Sequence, residues 1–153
     1  VESIISAGDG MDKNDISPRA GGLTPSACSA ALTHRILVVD DEPSMRKLIS
    51  IVLANSGYEV ESAEDGAVAW EALQSGHFDL LITDQNMPRL SGLELVKNLR
   101  LASMDLPVVM VTGAVPEEEL AQDASLHLTA TISKPFELSH LLETVSHALH
   151  LAA

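Results

Sequence analysis

The chain has 153 residues, the size of one ordinary domain; 46% are apolar, enough for a core, and only 3% are aromatic, so that core must be aliphatic. Its net charge of −13 argues against direct binding of nucleic acid or of an anionic membrane surface, since both need Lys and Arg to neutralise phosphates. The single cysteine, Cys28, excludes an internal disulfide and fits a reducing cytoplasm, no apolar run approaches the ~18 residues of a membrane span, and no basic start followed by an apolar stretch marks a signal peptide.

Residues 1–33 are rich in Gly, Ser, Ala, Asp and Pro and sustain neither a helical nor a strand period. They read as a flexible leader, linker or tag-derived segment ahead of a domain over 34–150. Cys28 lies in this segment and reads as incidental. The regular pattern starts at Arg35–Val39, a continuous apolar run of the kind buried on both faces of a sheet. Pro43 suits the first turn of a helix, Met45, Leu48, Ile49, Val52 and Leu53 recur at helical spacing, and Gly57 supplies a stop. Tyr58 to Ala63 alternates as a strand, and Ala67 to Leu73 reads as a helix ended near Gly76. Asp79 to Thr83 is a third strand, and Leu93, Leu95, Val96 and Leu99 mark a third helix. Pro107 to Val111 is a fourth strand closed by Thr112. A weaker helix is expected over 116–126, with Glu117, Glu118 and Glu119 in its first turn, where the helix dipole favours acids. Thr129 to Ser133 is a fifth strand, and Leu138, Leu141, Leu142, Val145 and Leu149 give a final helix.

Five strands alternating with five helices imply an α/β fold: a doubly wound five-stranded parallel sheet with helices on both faces. In such sheets ligands bind beyond the carboxyl ends of the strands, where the strand order reverses. That edge collects the polar residues that close the apolar runs: Asp40 and Asp41 after the first strand, Asp84 after the third, Thr112 after the fourth and Lys134 after the fifth. Three carboxylates gathered there repel one another, which raises some of their pKa values or recruits a cation. Mg²⁺, a hard ion that takes carboxylate, water and phosphate oxygens, suits the set. Lys134 is unsuited to ligate the metal but can pair with a carboxylate or a phosphoryl oxygen, and the Thr112 hydroxyl can donate to the same oxygen. Nucleophile, metal and positive clamp are the parts of a phosphoryl-transfer site. Singly, each has a duller reading: an acid pair after a strand caps a helix, a threonine at a strand end serves a turn, a Lys-Pro sits in a surface loop. Their convergence on one edge carries the functional reading.

Val38-Val39-Asp40-Asp41-Glu42-Pro43, Asp84-Gln85-Asn86-Met87-Pro88-Arg89-Leu90-Ser91-Gly92, Val111-Thr112-Gly113 and Ser133-Lys134-Pro135-Phe136, in that order, resemble the signature set of response-regulator receiver domains of two-component signalling, over residues 34–150. The resemblance implies the flavodoxin-like (βα)5 fold of the chemotaxis regulators. It implies Asp84 as phosphoacceptor, Mg²⁺ ligated by Asp41, Asp84 and the backbone carbonyl of Asn86, and Asp40 acting through a metal-bound water. Thr112 would receive a phosphoryl oxygen on activation, and Lys134 would pair with Asp84 or its phosphate, ahead of a cis bond to Pro135. The implied donor is a sensor histidine kinase or histidine phosphotransfer protein. The implied readout is a downstream protein at the face of the fourth helix, fifth strand and last helix, followed by autodephosphorylation. One position departs: many receivers carry Tyr or Phe three residues before the lysine, where this chain has Thr131.

Two other readings are weighed. An aspartyl-phosphate phosphatase acting on outside substrates would carry an acid two residues after the nucleophile, where Asn86 stands. A phosphate-independent receiver acting as an interaction module is favoured only by Thr131; the intact acids, Thr112 and Lys134 weigh against it. His140, His147 and His150 read as a polar face of the last helix rather than a ligand set, and Trp70 as a partly buried packing residue. The sequence leaves open a single-domain regulator or the receiver portion of a larger protein.

Overall fold

The computed structural model describes residues 33–122 and 126–152. The leader and Cys28 lie outside them. Within them the ten elements alternate as expected: β1 (Arg35–Val39), α1 (Pro43–Asn55), β2 (Glu59–Ala63), α2 (Gly66–Ser75), β3 (Leu80–Thr83), α3 (Gly92–Leu101), β4 (Val108–Thr112), α4 (Glu117–Gln122), β5 (Ala130–Ser133) and α5 (Leu138–Ala152). All four strand pairings are parallel, in the order β2-β1-β3-β4-β5. The order reverses between β1 and β3, so the crevice beyond the carboxyl ends of these two strands is the place where such sheets bind ligands.

The strand alternation sorts the core into two layers. Leu37, Val39, Leu81, Val108 and Met110 face Ala69 and Leu73 of α2 and Leu93, Val96 and Leu99 of α3. Ile36, Val38, Leu80, Ile82, Val109, Val111 and Ile132 face Ile49 and Leu53 of α1 and Leu141, Val145, Ala148 and Leu149 of α5. Successive residues of a strand point to opposite faces, so one apolar run serves both layers, which is why β1, β3 and β4 show no polar alternation. The edge strands differ: β2 buries only Ala63 and β5 only Ile132.

Helix starts follow the local chemistry. Pro43 opens α1 after Glu42, which makes no side-chain cap, while the Asp65 side chain caps α2 by accepting from the Val68 N–H at 2.9 Å. Ser91 and Glu94 form a capping box at the start of α3. Gly57, at φ +98°, makes the left-handed turn out of α1 that an L side chain resists.

Helix α4 spans Glu117–Gln122 and buries none of these residues, with Leu120 packed on the core; residues 123–125 of the expected 116–126 lie outside the described residues. A helix with so narrow an apolar stripe gains little from packing. Leu48, at helical spacing in the sequence, is 42% exposed beside Ile51, because only the Ile49–Leu53 side of α1 meets the sheet. Trp70 is partly buried against the first core layer, and His140, His147 and His150 are all exposed.

Candidate functional site

Each predicted polar residue stands at a strand end, and for the acids and Thr112 the strand before is committed to the core. β1 delivers Asp40 and Asp41, β3 delivers Asp84, β4 ends in Thr112, and the residue after β5 is Lys134. Parallel pairing then brings these ends to one edge: the Asp84 N–H donates to the Val39 carbonyl at 3.0 Å, and the Lys134 N–H to the Thr112 carbonyl at 2.9 Å. The Lys134–Pro135 peptide bond is cis.

The side chains meet at this edge. Lys134 Nζ lies 3.1 Å from Asp40 Oδ2 and 3.3 Å from Asp84 Oδ2, bridging the two carboxylates. Asp40 and Asp84 are buried, Asp41 is exposed, and one oxygen from each of the three lies within 4.8 Å of the others. Asp40 Oδ1 accepts from the Glu42 N–H at 2.9 Å, and Asp84 Oδ1 from the Gln85 N–H at 2.7 Å. Thr112 is fully buried, yet among the described residues its hydroxyl meets only the Ala114 N–H at 3.4 Å and the Ala114 carbonyl at 3.5 Å. Contacts of that length hold a hydroxyl weakly.

Burial pushes the Asp40 carboxyl above its usual range, outweighing the Glu42 N–H and the Lys134 ammonium that pull it down, while the neighbouring Asp84 adds to the rise. Lys134 is also shifted upward: burial lowers it, but hydrogen bonds and charge from Asp40 and Asp84 together exceed that cost. The two shifts are consistent because one lysine is shared between two carboxylates. It gains from both, and Asp40, the more deeply buried, recovers only part of its hydration. A raised folded-state value means that Asp40 favours folding when protonated and loses that contribution as pH rises through its folded value. Without divalent cations, Asp40→Asn is therefore expected to raise the melting temperature at pH 7 and to change it little at about pH 3, where both states of the aspartate are protonated. Thermal melts in EDTA at the two pH values check this; a variant less stable than wild type at pH 7 contradicts it.

Of the site residues named from the sequence, Asp40, Asp41, Asp84 and Lys134 have their side chains together; Thr112 stands at the same edge with its hydroxyl on Ala114, and Asn86 is exposed in the loop after β3. Its backbone carbonyl is the atom the family resemblance nominates. Thr131 is exposed on β5. Several supporting residues escaped the sequence reading. Arg46 donates from its guanidinium to the Asp40 carbonyl at 2.7 Å, one turn into α1. The Gln85 side chain accepts from the Leu93 N–H at 2.9 Å and so ties the residue after Asp84 to the start of α3. Arg89 pairs with Asp65 at 3.0 Å. At the opposite end of the sheet, Arg100 donates to the carbonyls of Met104, Leu106, Leu126 and His127, joining the loops before β4 and β5. Gln85 and Arg89 lie within the quoted Asp84–Gly92 motif, but no local pattern gives their partners; only the Asp65–Gly66 pair, an N-cap pattern, marks a contact in advance.

Three buried or clustered acids with a lysine between two of them fit a hard divalent cation: oxygen donors, net negative charge, and one exposed member open to solvent. Among the described residues no other group of three potential metal ligands occurs, and no helix is long and apolar enough to cross a membrane.

Comparison with known proteins agrees with this geometry. The model of the response regulator receiver domain matches residues 36–146. The chemotaxis protein CheY-3 of Vibrio cholerae is 36% identical over 112 residues, covering 71% of this chain and 86% of that protein. The sensor histidine kinase RcsC of Escherichia coli is 34% identical over 111 residues, 72% of this chain but only 12% of the kinase. The structure of the response regulator TrrA from Thermotoga maritima, solved in complex with Mg(2+)-BeF, superposes with a TM-score of 0.67 at 35% identity, covering 76% of this chain and 99% of that one.

Proposed function

The chain belongs to the response regulator receiver domain family, the switch modules of two-component signalling, and from that premise we propose that Asp84 accepts a phosphoryl group in a Mg²⁺-dependent reaction and that the module, over residues 34–150, relays the event to a protein partner. The observation that carries this reading is the Lys134 ammonium shared between Asp40 and Asp84, with Asp41 at the open side of the same carboxylate cluster.

Asp41, Asp84 and the Asn86 backbone carbonyl would hold the ion directly, and Asp40 through water. Mg²⁺ in that place supplies positive charge to the phosphoryl oxygens as charge moves onto them. The chain's own residues do the rest. The Gln85 N–H holds one oxygen of Asp84 in place at 2.7 Å, which orients the carboxylate for attack. An oxygen of Asp84 bonds to phosphorus while the bond from phosphorus to the donor breaks, and the electron pair leaves with the donor. The donor is a phosphohistidine of a sensor kinase or phosphotransfer protein, or a small acyl phosphate. Lys134 releases Asp84 Oδ2 and takes a phosphoryl oxygen, a strong charge-assisted contact. Thr112, held by long contacts to Ala114, turns its hydroxyl to another. Asn86 and Ala114, both exposed, border the path of the water that later hydrolyses the acyl phosphate.

Phosphorylation then shifts a pre-existing equilibrium, because the phosphate has partners in one state that it lacks in the other. With Thr131 small and exposed where many receivers have a ring, coupling from Thr112 to the face of α4, β5 and α5 runs through main chain and Lys134 rather than an inward-turning aromatic. The reading places the module in the cytoplasm. It is tested by thermal melts with Mg²⁺ and beryllofluoride, a phosphoryl mimic. Mg²⁺ alone raises the melting temperature by binding the folded state, and beryllofluoride adds a further rise that Asp84→Ala abolishes. Melting indifferent to both ligands sinks the reading.

A further inference from the structure

The loop from Asp84 to Gly92 carries the Asn86 carbonyl, and its far end is fastened in a way the phosphoryl chemistry does not call for. Arg89 has a left-handed backbone at φ +69°, and the Leu90 N–H donates to the Pro88 carbonyl at 2.7 Å. That is a three-residue γ-turn with its central residue at positive φ, the rare and strained form. A strained non-glycine turn persists where its surroundings hold it. Here they do so twice. The Arg89 guanidinium lies 3.0 Å from Oδ2 of Asp65, whose side chain is 3% exposed and whose other oxygen caps α2. The next residue, Gly66, has no Cβ because one would stand 2.5 Å from the Leu90 carbonyl oxygen, so the loop rests directly on the first turn of α2.

We propose that the Asp65–Arg89 pair is a latch that holds the loop after the phosphoacceptor in the shape that presents the Asn86 carbonyl to Mg²⁺. Arg89 is thus a positioning residue for metal binding, although it lies in neither the acid cluster nor the phosphoryl path. The inference rests on the reading given above, because it assigns that carbonyl to the metal. The physical argument is one of pre-organisation. A buried carboxylate needs a cation or hydrogen bonds to stay charged, and Asp65 has one oxygen satisfied by the Val68 N–H and the other by Arg89 alone among the described contacts. Removing Arg89 leaves that oxygen without its partner and releases a strained turn five residues from Asp84. The loop then samples other shapes, and Mg²⁺ must restore the competent one as it binds. A competent state populated in only a fraction of molecules weakens apparent affinity by that fraction.

The test is titration calorimetry with MgCl₂ on wild type, Arg89→Ala, Arg89→Lys, Asp65→Asn and the double variant Asp65→Asn/Arg89→Ala. Asp65→Asn retains an oxygen to cap α2, so it removes the charge pair and spares the helix start. The expected result is a dissociation constant about five- to tenfold higher for Arg89→Ala and for Asp65→Asn, a double variant no worse than either single one, and partial recovery in Arg89→Lys. With a small acyl phosphate as donor, the half-saturating Mg²⁺ concentration rises by the same factor while the rate at saturating Mg²⁺ stays within about twofold, a split that general destabilisation would not give. Unchanged affinity in folded single variants, or effects that multiply in the double variant, overturns the latch while leaving the phosphoacceptor reading intact. A wild-type protein that binds no Mg²⁺ overturns both.

Discussion

Lys134→Met is expected to destabilise the metal-free protein by about 2–3 kcal/mol at pH 7, because it strips the shared cation from two buried carboxylates. Methionine keeps most of the aliphatic stem, so little of the loss comes from packing. The figure sits below the roughly 3–5 kcal/mol that breaking a fully buried ion pair costs, since Asp41 opens the cluster to solvent. The loss has a pH signature. The raised Asp40 value means that this carboxyl takes up its proton earlier than usual as pH falls, after which it no longer needs the lysine. Urea denaturation in EDTA should show a large difference between variant and wild type at pH 7 that narrows toward pH 4. Added Mg²⁺ should narrow it as well, by supplying the charge that the lysine no longer does. The same variant should still take up a phosphoryl group slowly, but partner binding should cease to respond to it. A variant as stable as wild type at pH 7 without metal would mean that the bridge contributes nothing.

Gly92→Ala should cost still more. A Cβ at this first residue of α3 would be driven into the carbonyl oxygen of Asp84, with the Asp84 carbonyl carbon and the Gln85 Cα each 3.1 Å away. Every atom it meets is backbone, and the Gly92 N–H is already fixed to the Gln85 carbonyl at 3.0 Å, so neither side has room to yield. We expect a destabilisation of about 3 kcal/mol or more, in the upper range for overpacking a closed site. Because relief would have to displace Asp84, phosphoryl uptake should fall even under conditions where the variant is folded. Gly113→Ala is the matched control: no atom lies within 4 Å of its added Cβ, so it should stay within about half a kcal/mol of wild type. Chemical denaturation of the two variants side by side checks the pair, and equal stabilities would show that the loop after Asp84 is looser than it stands.

What was legible in the sequence followed from how strongly each residue's neighbours constrained it. Arg35–Val39, Asp79–Thr83 and Pro107–Val111 are largely apolar without alternation, as strands covered on both faces are; the edge carrying Asp40, Asp84 and Thr112 came from them directly, and Lys134 from the shorter run Thr129–Ser133. The parts that escaped depend on contacts between distant segments. No local pattern marks Arg89 as the partner of Asp65, 24 positions earlier, or Arg100 as the tie between two loops. Nor does spacing along α1 tell which of Leu48 and Ile49 meets the sheet, since both fit a helical stripe and the angle of docking decides. Helix α4 shows what a local pattern does carry: its acidic first turn was readable from Glu117, Glu118 and Glu119.

The most direct test of the central claim is the intact mass of the protein after incubation with Mg²⁺ and a small acyl or amido phosphate, beside Asp84→Ala and an EDTA control. The account predicts a labile gain of one phosphoryl group that is absent from the variant and from the control. A wild-type protein that is folded, binds Mg²⁺ and beryllofluoride, yet gains no mass at any time point would contradict it, as would a gain that survives Asp84→Ala.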